Sequence, residues 1–221
     1  MAERGVIVEF DFTVLNGAEL LFQTAKDFLD KLDGIGLDER VEARYLSGKS
    51  YLDGFGKLFP VVKTKKTPQK ASRDFTAVFS AAVTEAVPSS FGVAFRNFVK
   101  VLTDAGLKVV IATHADTTSV GAAFVPVSGD KVLLFHDFSS SYGMSKADLW
   151  RRACRAAGLT PGSTLLLTGS GFGVKEALRA GMRSTAVVND RVAWHDFGGA
   201  DDVLTELSGK TARRVLERLG L

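Results

Sequence analysis

The sequence predicts an α/β protein: a doubly wound, mostly parallel five-stranded Rossmann-like sheet, interrupted after its first strand by a helical insert. Three observations predict it. Five short apolar runs, Val6–Phe10, Leu107–Ala112, Val132–Phe135, Thr164–Leu167 and Thr185–Val188, mostly lack the polar alternation of a half-exposed strand. Strands covered by helices on both faces read this way. Segments with helical potential separate the last four runs, and strand alternating with helix implies parallel strands joined by right-handed crossovers. The stretch from about Gly17 to Pro88 breaks this rhythm, with several helical patterns and no convincing strand.

Taken in order, the first run follows Met1 closely. No charged patch, long apolar stretch and small-residue cleavage site stands before it, so a cytoplasmic location is expected, with a segment removed upstream left open. The insert reads as helices over Glu19–Leu32, Asp38–Leu46, Ser50–Phe59 and Arg73–Val87, punctuated by Pro60 and a lysine-rich loop. Its place in the chain predicts a helical cap domain over residues 17–88, with 1–16 and 89–221 forming the core. Such a cap would sit over the C-terminal edge of the sheet, where doubly wound folds bind ligands near the switch in strand order. Phe91–Ala105 carries apolar residues at 91, 94, 95, 98, 99 and 102 and stops at Gly106, a helical stripe with its terminator. Ser145–Ala157 starts on a capping residue and stops at Gly158, and Gly173–Ala180 stops at Gly181.

Composition narrows the function classes. With 46% hydrophobic and 24% charged residues the chain has an ordinary globular profile. No apolar run approaches the ~18 residues a membrane span needs. Cys154 is the single cysteine, which excludes an internal disulfide and argues against a cysteine-based zinc site. It shares a stripe with Trp150 and Ala157 and reads as a small buried apolar residue. The net charge is only +3. The cluster Lys63–Lys70 has no interleaved aromatics and reads first as a solvated loop, with a polyanion-binding module as an alternative; nucleic acid is not an expected partner. His114, His136 and His195 show no metal-ligand spacing and are expected in structural or surface roles.

One set of segments carries a specific resemblance. Strand one runs Val6-Ile-Val-Glu9-Phe-Asp11-Phe-Thr13 and is followed by Ala18-Glu19-Leu-Leu-Phe22. Strand two ends in Ala112-Thr113-His114. Ser145-Lys146-Ala-Asp-Leu149 comes next, then Leu165-Leu-Leu-Thr168-Gly169-Ser170-Gly-Phe-Gly173 with a helix ending Ala180-Gly-Met182. In this order the segments resemble the four motifs of the haloacid dehalogenase-like hydrolases, in the branch of β-phosphoglucomutase and phosphoglycolate phosphatase. The resemblance runs over nearly the whole chain and implies a Rossmann-like core with a cap. It puts Glu9 in the place of the nucleophilic aspartate and Asp11 in that of the general acid/base. Thr113, Lys146 and Ser170 fall in phosphate-binding positions.

Two departures from the pattern bear on activity. Glu9 is one methylene longer than aspartate, and misplacing a reacting atom by ~1 Å can cost roughly a hundredfold. Gly169 stands where the family has a magnesium-binding aspartate, and Ser170, Gly171, Phe172 and Gly173 supply no acid nearby. Magnesium gains most from carboxylates in a near-octahedral shell. The expectation is therefore a phosphatase-like protein with impaired catalysis and no metal residues assigned, keeping a pocket for phosphate or a small phosphorylated metabolite, or a protein-binding role. The glycine-rich turn Thr168–Gly173 reads first as a loop relaxed after activity was lost, with an anion cradle as the alternative. The alternative is an active phosphohydrolase or phosphomutase, with Mg2+ as cofactor only in that case. It would use Glu9 or Asp11 as nucleophile, the latter with Thr13 two places on, and a rescuing acid such as Asp116 or Asp137. Arg44 and Lys49 are candidate ligand contacts from the insert, with solvated helix charges as the plainer account.

Overall fold

The computed structural model describes residues 3–87, 92–136 and 144–221. The strands are β1 (Gly5–Glu9), β2 (Lys108–Ala112), β3 (Val132–Phe135), β4 (Thr164–Thr168), β5 (Arg183–Val187) and β6 (Asp202–Leu204). They form one all-parallel sheet in the order β3-β2-β1-β4-β5-β6. Among the described residues the sheet thus has six strands where the sequence predicts five. The sixth is three residues long and opens on an aspartate, so it offers no apolar run to read.

Period-two alternation sorts the strand residues between two helical layers. Val6 and Val8 of β1, Val109 and Ile111 of β2, and Leu165 and Leu167 of β4 pack with Phe95, Phe98 and Leu102 of α6 (Val93–Asp104) and with Ala212 and Val215 of α10 (Gly209–Arg218). Ile7, Val110 and Leu166, one residue out of step, pack with Trp150, Ala153 and Cys154 of α8 (Lys146–Ala156) and Ala177 of α9 (Gly171–Ala180). Cys154 is buried, as its stripe predicts. By the same parity Glu9, two residues after Ile7, belongs to the face covered by α8 and α9. A further short helix, α7 (Thr117–Phe124), follows β2.

A single helical turn, α1 (Phe10–Thr13), leaves β1, and four helices follow before α6: α2 (Gly17–Asp33), α3 (Glu39–Tyr45), α4 (Tyr51–Val62) and α5 (Pro68–Ala86). Their ends follow the sequence signals. Gly34 closes α2 in the left-handed region at φ 61°, and Asp38 caps α3 by accepting from the Val41 N–H at 2.8 Å. Pro60 sits in the last turn of α4 without ending it, and Pro68 opens α5 where its missing N–H costs nothing. The insert is cored by aromatic rings. Phe75 contacts Phe28, Tyr51, Phe55 and Phe79 with centroids 4.7–6.1 Å away. The insert docks on the C-terminal edge of the sheet: the Phe79 ring is 5.1 Å from His114, and the Ser80 hydroxyl donates to the His114 carbonyl at 2.5 Å. The predicted domain boundary at 88/89, the predicted helix start at Phe91 and the candidate acid Asp137 lie outside the described residues. Among the described residues no helix is long and apolar enough to cross a membrane.

Candidate functional site

The chain runs outward through β1, β2 and β3, then returns to β4 on the other side of β1. The crevice between β1 and β4 is therefore the topological switch point. The parallel register sets Glu9 beside Ala112 and Val8 beside Leu167. Glu9 and Thr168 consequently end adjacent strands at one level, and Thr113 follows β2 one residue beyond that level.

Glu9 is 1% exposed, and both its oxygens are engaged. Lys146, at the start of α8, donates to Oε1 at 2.7 Å, and the Thr168 hydroxyl donates to Oε2 at 2.5 Å. The ammonium of Lys146 also lies 5.4 Å from the centroid of the Phe12 ring. Asp11, equally buried, is held from the β2 side. Thr113 Oγ1 donates to Oδ1 at 2.6 Å, the His114 N–H donates to Oδ2 at 2.7 Å, and His114 Nδ1 stands 2.6 Å from the same oxygen. All four carboxylate oxygens thus have protein partners. Above them Tyr51 is packed among the rings, and burial first, then the charges of Asp11 and Glu9, push its phenol well above the ordinary tyrosine range.

Ser170 is occupied elsewhere: its hydroxyl accepts from the Gly173 N–H at 3.0 Å and caps α9. Two more N–H groups of the glycine-rich turn are taken, Ser170 N by Thr168 Oγ1 and Gly171 N by His195 Nδ1, both at 3.4 Å. Burial holds the His195 imidazole below its ordinary value, so the neutral, accepting form is the favoured one. A loop of the insert presses on this turn. At Gly48, in the left-handed region at φ 74°, an added Cβ would come within 2.9 Å of Ser170 Oγ and 3.0 Å of Phe172 Cβ. The cavity directly at this centre is about 60 Å³, walled by Phe12, Gly48, Lys49, Tyr51, His114 and Lys146 among others. Ligand pockets are typically ~300–1,000 Å³.

The site does not fit magnesium. Gly169 supplies no carboxylate, and the space a side chain there would enter is filled: an added Cβ would lie 2.2 Å from the Phe12 carbonyl oxygen and 2.8 Å from its Cβ. Among the described residues no group of three or more His, Cys, Asp or Glu side chains is placed to hold a metal ion. Asp116 does not fill the gap, since its carboxylate caps α7 through the Thr118 N–H at 3.1 Å and the Ser119 hydroxyl at 2.5 Å.

A comparison with protein-family models and with curated proteins finds no match to this sequence. Solved structures do match over nearly the whole chain. A hydrolase from Pseudomonas syringae superposes with a TM-score of 0.73 at 17% identity, covering 97% of this chain and 99% of that one. β-Phosphoglucomutase from Clostridium difficile superposes with a TM-score of 0.72 at 12% identity, covering 100% and 98%. The fold is the haloacid dehalogenase-like fold. CbbY from Rhodobacter sphaeroides, solved in complex with phosphate, is a third example, with a TM-score of 0.64 at 18% identity over 94% and 95% of the two chains.

Seen in this fold, the residues singled out from sequence separate into groups. Glu9 and Lys146 come together, as do Asp11 and Thr113, while Ser170 serves a helix end. Two partners were not singled out. From sequence alone Thr168 reads only as part of a turn, and His114 takes a structural or surface role although it directly follows Thr113. Arg44 stacks on Tyr45 with 5.5 Å to the ring centroid, and Lys49 donates to the Arg44 carbonyl. The lysine loop is exposed; Lys63 ends α4, and Lys70 pairs with Asp74 at 2.8 Å within α5.

Proposed function

We propose that this chain is a non-catalytic protein of haloacid dehalogenase-like fold, in which the former phosphoryl-transfer centre has become a buried structural contact between core and cap. One observation carries the reading: the Phe12 main chain fills the space at Gly169 from which a metal-binding carboxylate would have to project. Phosphoryl transfer depends on cations and positioned donors to offset the charge developing on the transferred group. Here Lys146 is committed to Glu9, Thr113 to Asp11, and the N–H groups of Ser170, Gly171 and Gly173 to the protein itself. A phosphoryl group could enter only by displacing these contacts and enlarging a 60 Å³ cavity. Residues 17–88 act on this reading as a cap domain fixed over the sheet edge, and the protein works by binding rather than by turnover.

The test is phosphate release from a panel of small phosphate esters, with and without Mg2+, by the wild type and by Glu9→Gln. The expected result is no magnesium-dependent release from either. Release that needs magnesium and is lost in Glu9→Gln would overturn the reading and make Glu9 a nucleophile or an essential ligand.

A further inference from the structure

The larger opening on this face lies beside the Glu9 centre, not in it. A cavity of about 710 Å³ separates α2 and α3 of the insert from the loops that follow β1 and β5. Its walls carry Glu19, Glu39, Glu42 and Asp190 against a single guanidinium, Arg191, with Val188 and Trp194 among the apolar surfaces. Arg191 Nη1 reaches Glu39 at 2.9 Å and Glu19 at 3.1 Å, and its Cζ lies 4.5 Å from the Phe22 ring centroid. These contacts match its charge and leave carboxylates in excess.

Two polar atoms in this wall are unmatched. Glu42 is 5% exposed, yet its Oε1 has no hydrogen-bond partner, and the same holds for Arg191 Nη2. A buried polar atom without a partner is destabilising, so it marks a place where something else supplies the bond. The donor missing at Glu42 is one that also answers the excess negative charge. A metal ion does not fit, since among the described residues no three carboxylates or imidazoles are arranged to ligate one. Trp194, 61% exposed, offers a flat apolar wall; its indole N–H donates to the Arg191 carbonyl at 3.0 Å, which fixes the ring beside the cavity.

We infer that this cavity binds a small organic ammonium ion, its charged nitrogen donating to Glu42 and its hydrocarbon part lying along Val188 and Trp194. The site would join insert to core, since Glu42 belongs to α3 and Arg191 to the loop after β5. It stands independently of whether the Glu9 centre turns over phosphate.

Protonation gives this inference a signature. Burial pushes the Glu42 carboxyl up to about 7, with Arg191 opposing and Glu19 and Glu39 adding to the shift; Lys49, on the following loop, is a weaker opposing charge. An ammonium ion binds the ionised carboxylate, so binding releases a proton and tightens as pH rises. With a pKa of about 7 the ionised fraction grows about tenfold between pH ~6 and ~8.

The experiment is calorimetric titration of the wild type with 4-aminobutan-1-ol, and with butane-1,4-diol as the uncharged analogue of the same length. Binding of the amine is expected, about tenfold tighter near pH 8 than near pH 6, with proton release visible between buffers of different ionisation enthalpy. Glu42→Gln should weaken binding about tenfold and abolish the proton release. Because the wild-type proton count stands without any variant, poor folding of Glu42→Gln would leave the test intact. No binding of the amine near pH 8, equal binding of the diol, or an equal response to sodium chloride alone overturns the inference.

Discussion

The Lys146 ammonium stands 2.7 Å from Glu9 Oε1, linking the first turn of α8 to the end of β1 across 137 residues of chain. Their side chains are 11% and 2% exposed, so this is an ion pair largely removed from water. The extra methylene of glutamate carries the carboxylate to Lys146 and Thr168, where it completes a contact within the protein.

Removing one partner of such a pair leaves a buried charge unmatched, at a cost of roughly 3–5 kcal/mol, whereas removing both is often close to neutral. Lys146→Met is therefore expected to destabilise by about that amount. The double variant Glu9→Gln/Lys146→Met should recover most of the loss. Urea unfolding of the wild type, both single variants and the double variant checks this, and additive losses would contradict it.

Restoring the carboxylate at Gly169 should harm the fold without restoring chemistry. In Gly169→Asp the new Cβ meets the Phe12 carbonyl oxygen at 2.2 Å, and such overpacking costs ~1–3 kcal/mol before the buried charge is counted. The melting temperature is expected to fall by several degrees, with no magnesium-dependent phosphate release. A stable variant that hydrolyses phosphate esters in magnesium would show that the Phe12 segment yields.

Phe79 joins the aromatic core of the insert to the floor of the site, with stacked contacts to Phe75 and Phe12 and an edge contact to His114. It is fully buried. Phe79→Ala is expected to cost about 3–5 kcal/mol. A loss under ~1 kcal/mol in denaturant unfolding would mean that insert and core are only loosely joined.

Glu42 makes stability depend on pH in a defined direction. Its folded-state pKa of about 7 lies above the ordinary value of 4.5, so between these two values the folded chain holds more protons than the unfolded one. Its contribution to stability therefore falls as pH rises through that window and is fully unfavourable above about 7. At ~1.4 kcal/mol per unit the loss is on the order of 3 kcal/mol. Glu42→Gln should unfold later than the wild type near neutral pH and show a flatter profile from about 4.5 to 7. An unchanged pH profile would mean that Glu42 ionises freely.

The buried strands and the place of the insert were legible because β1, β2 and β4 are apolar over most of their length, and because helix starts such as Asp38 and Ser145 announce themselves. The sheet's sixth strand was not, since Asp202–Leu204 is short and half exposed. Within the site, Glu9, Asp11, Thr113 and Lys146 stood out because each sits at a strand or helix end in a recognisable order. The pairing that uses up Thr168 did not, because its parallel strand register is set only in the fold. The cavity of Glu42 and Arg191 left no mark on the sequence: its residues are 149 positions apart and meet only when insert and core pack together.

Whether the Glu9 centre accepts a metal is measured by titrating the wild type with Mg2+ and following both heat and melting temperature. A centre closed to metal gives no saturable heat and no rise in melting temperature at millimolar magnesium. Saturable binding that disappears in Glu9→Gln would contradict that closure.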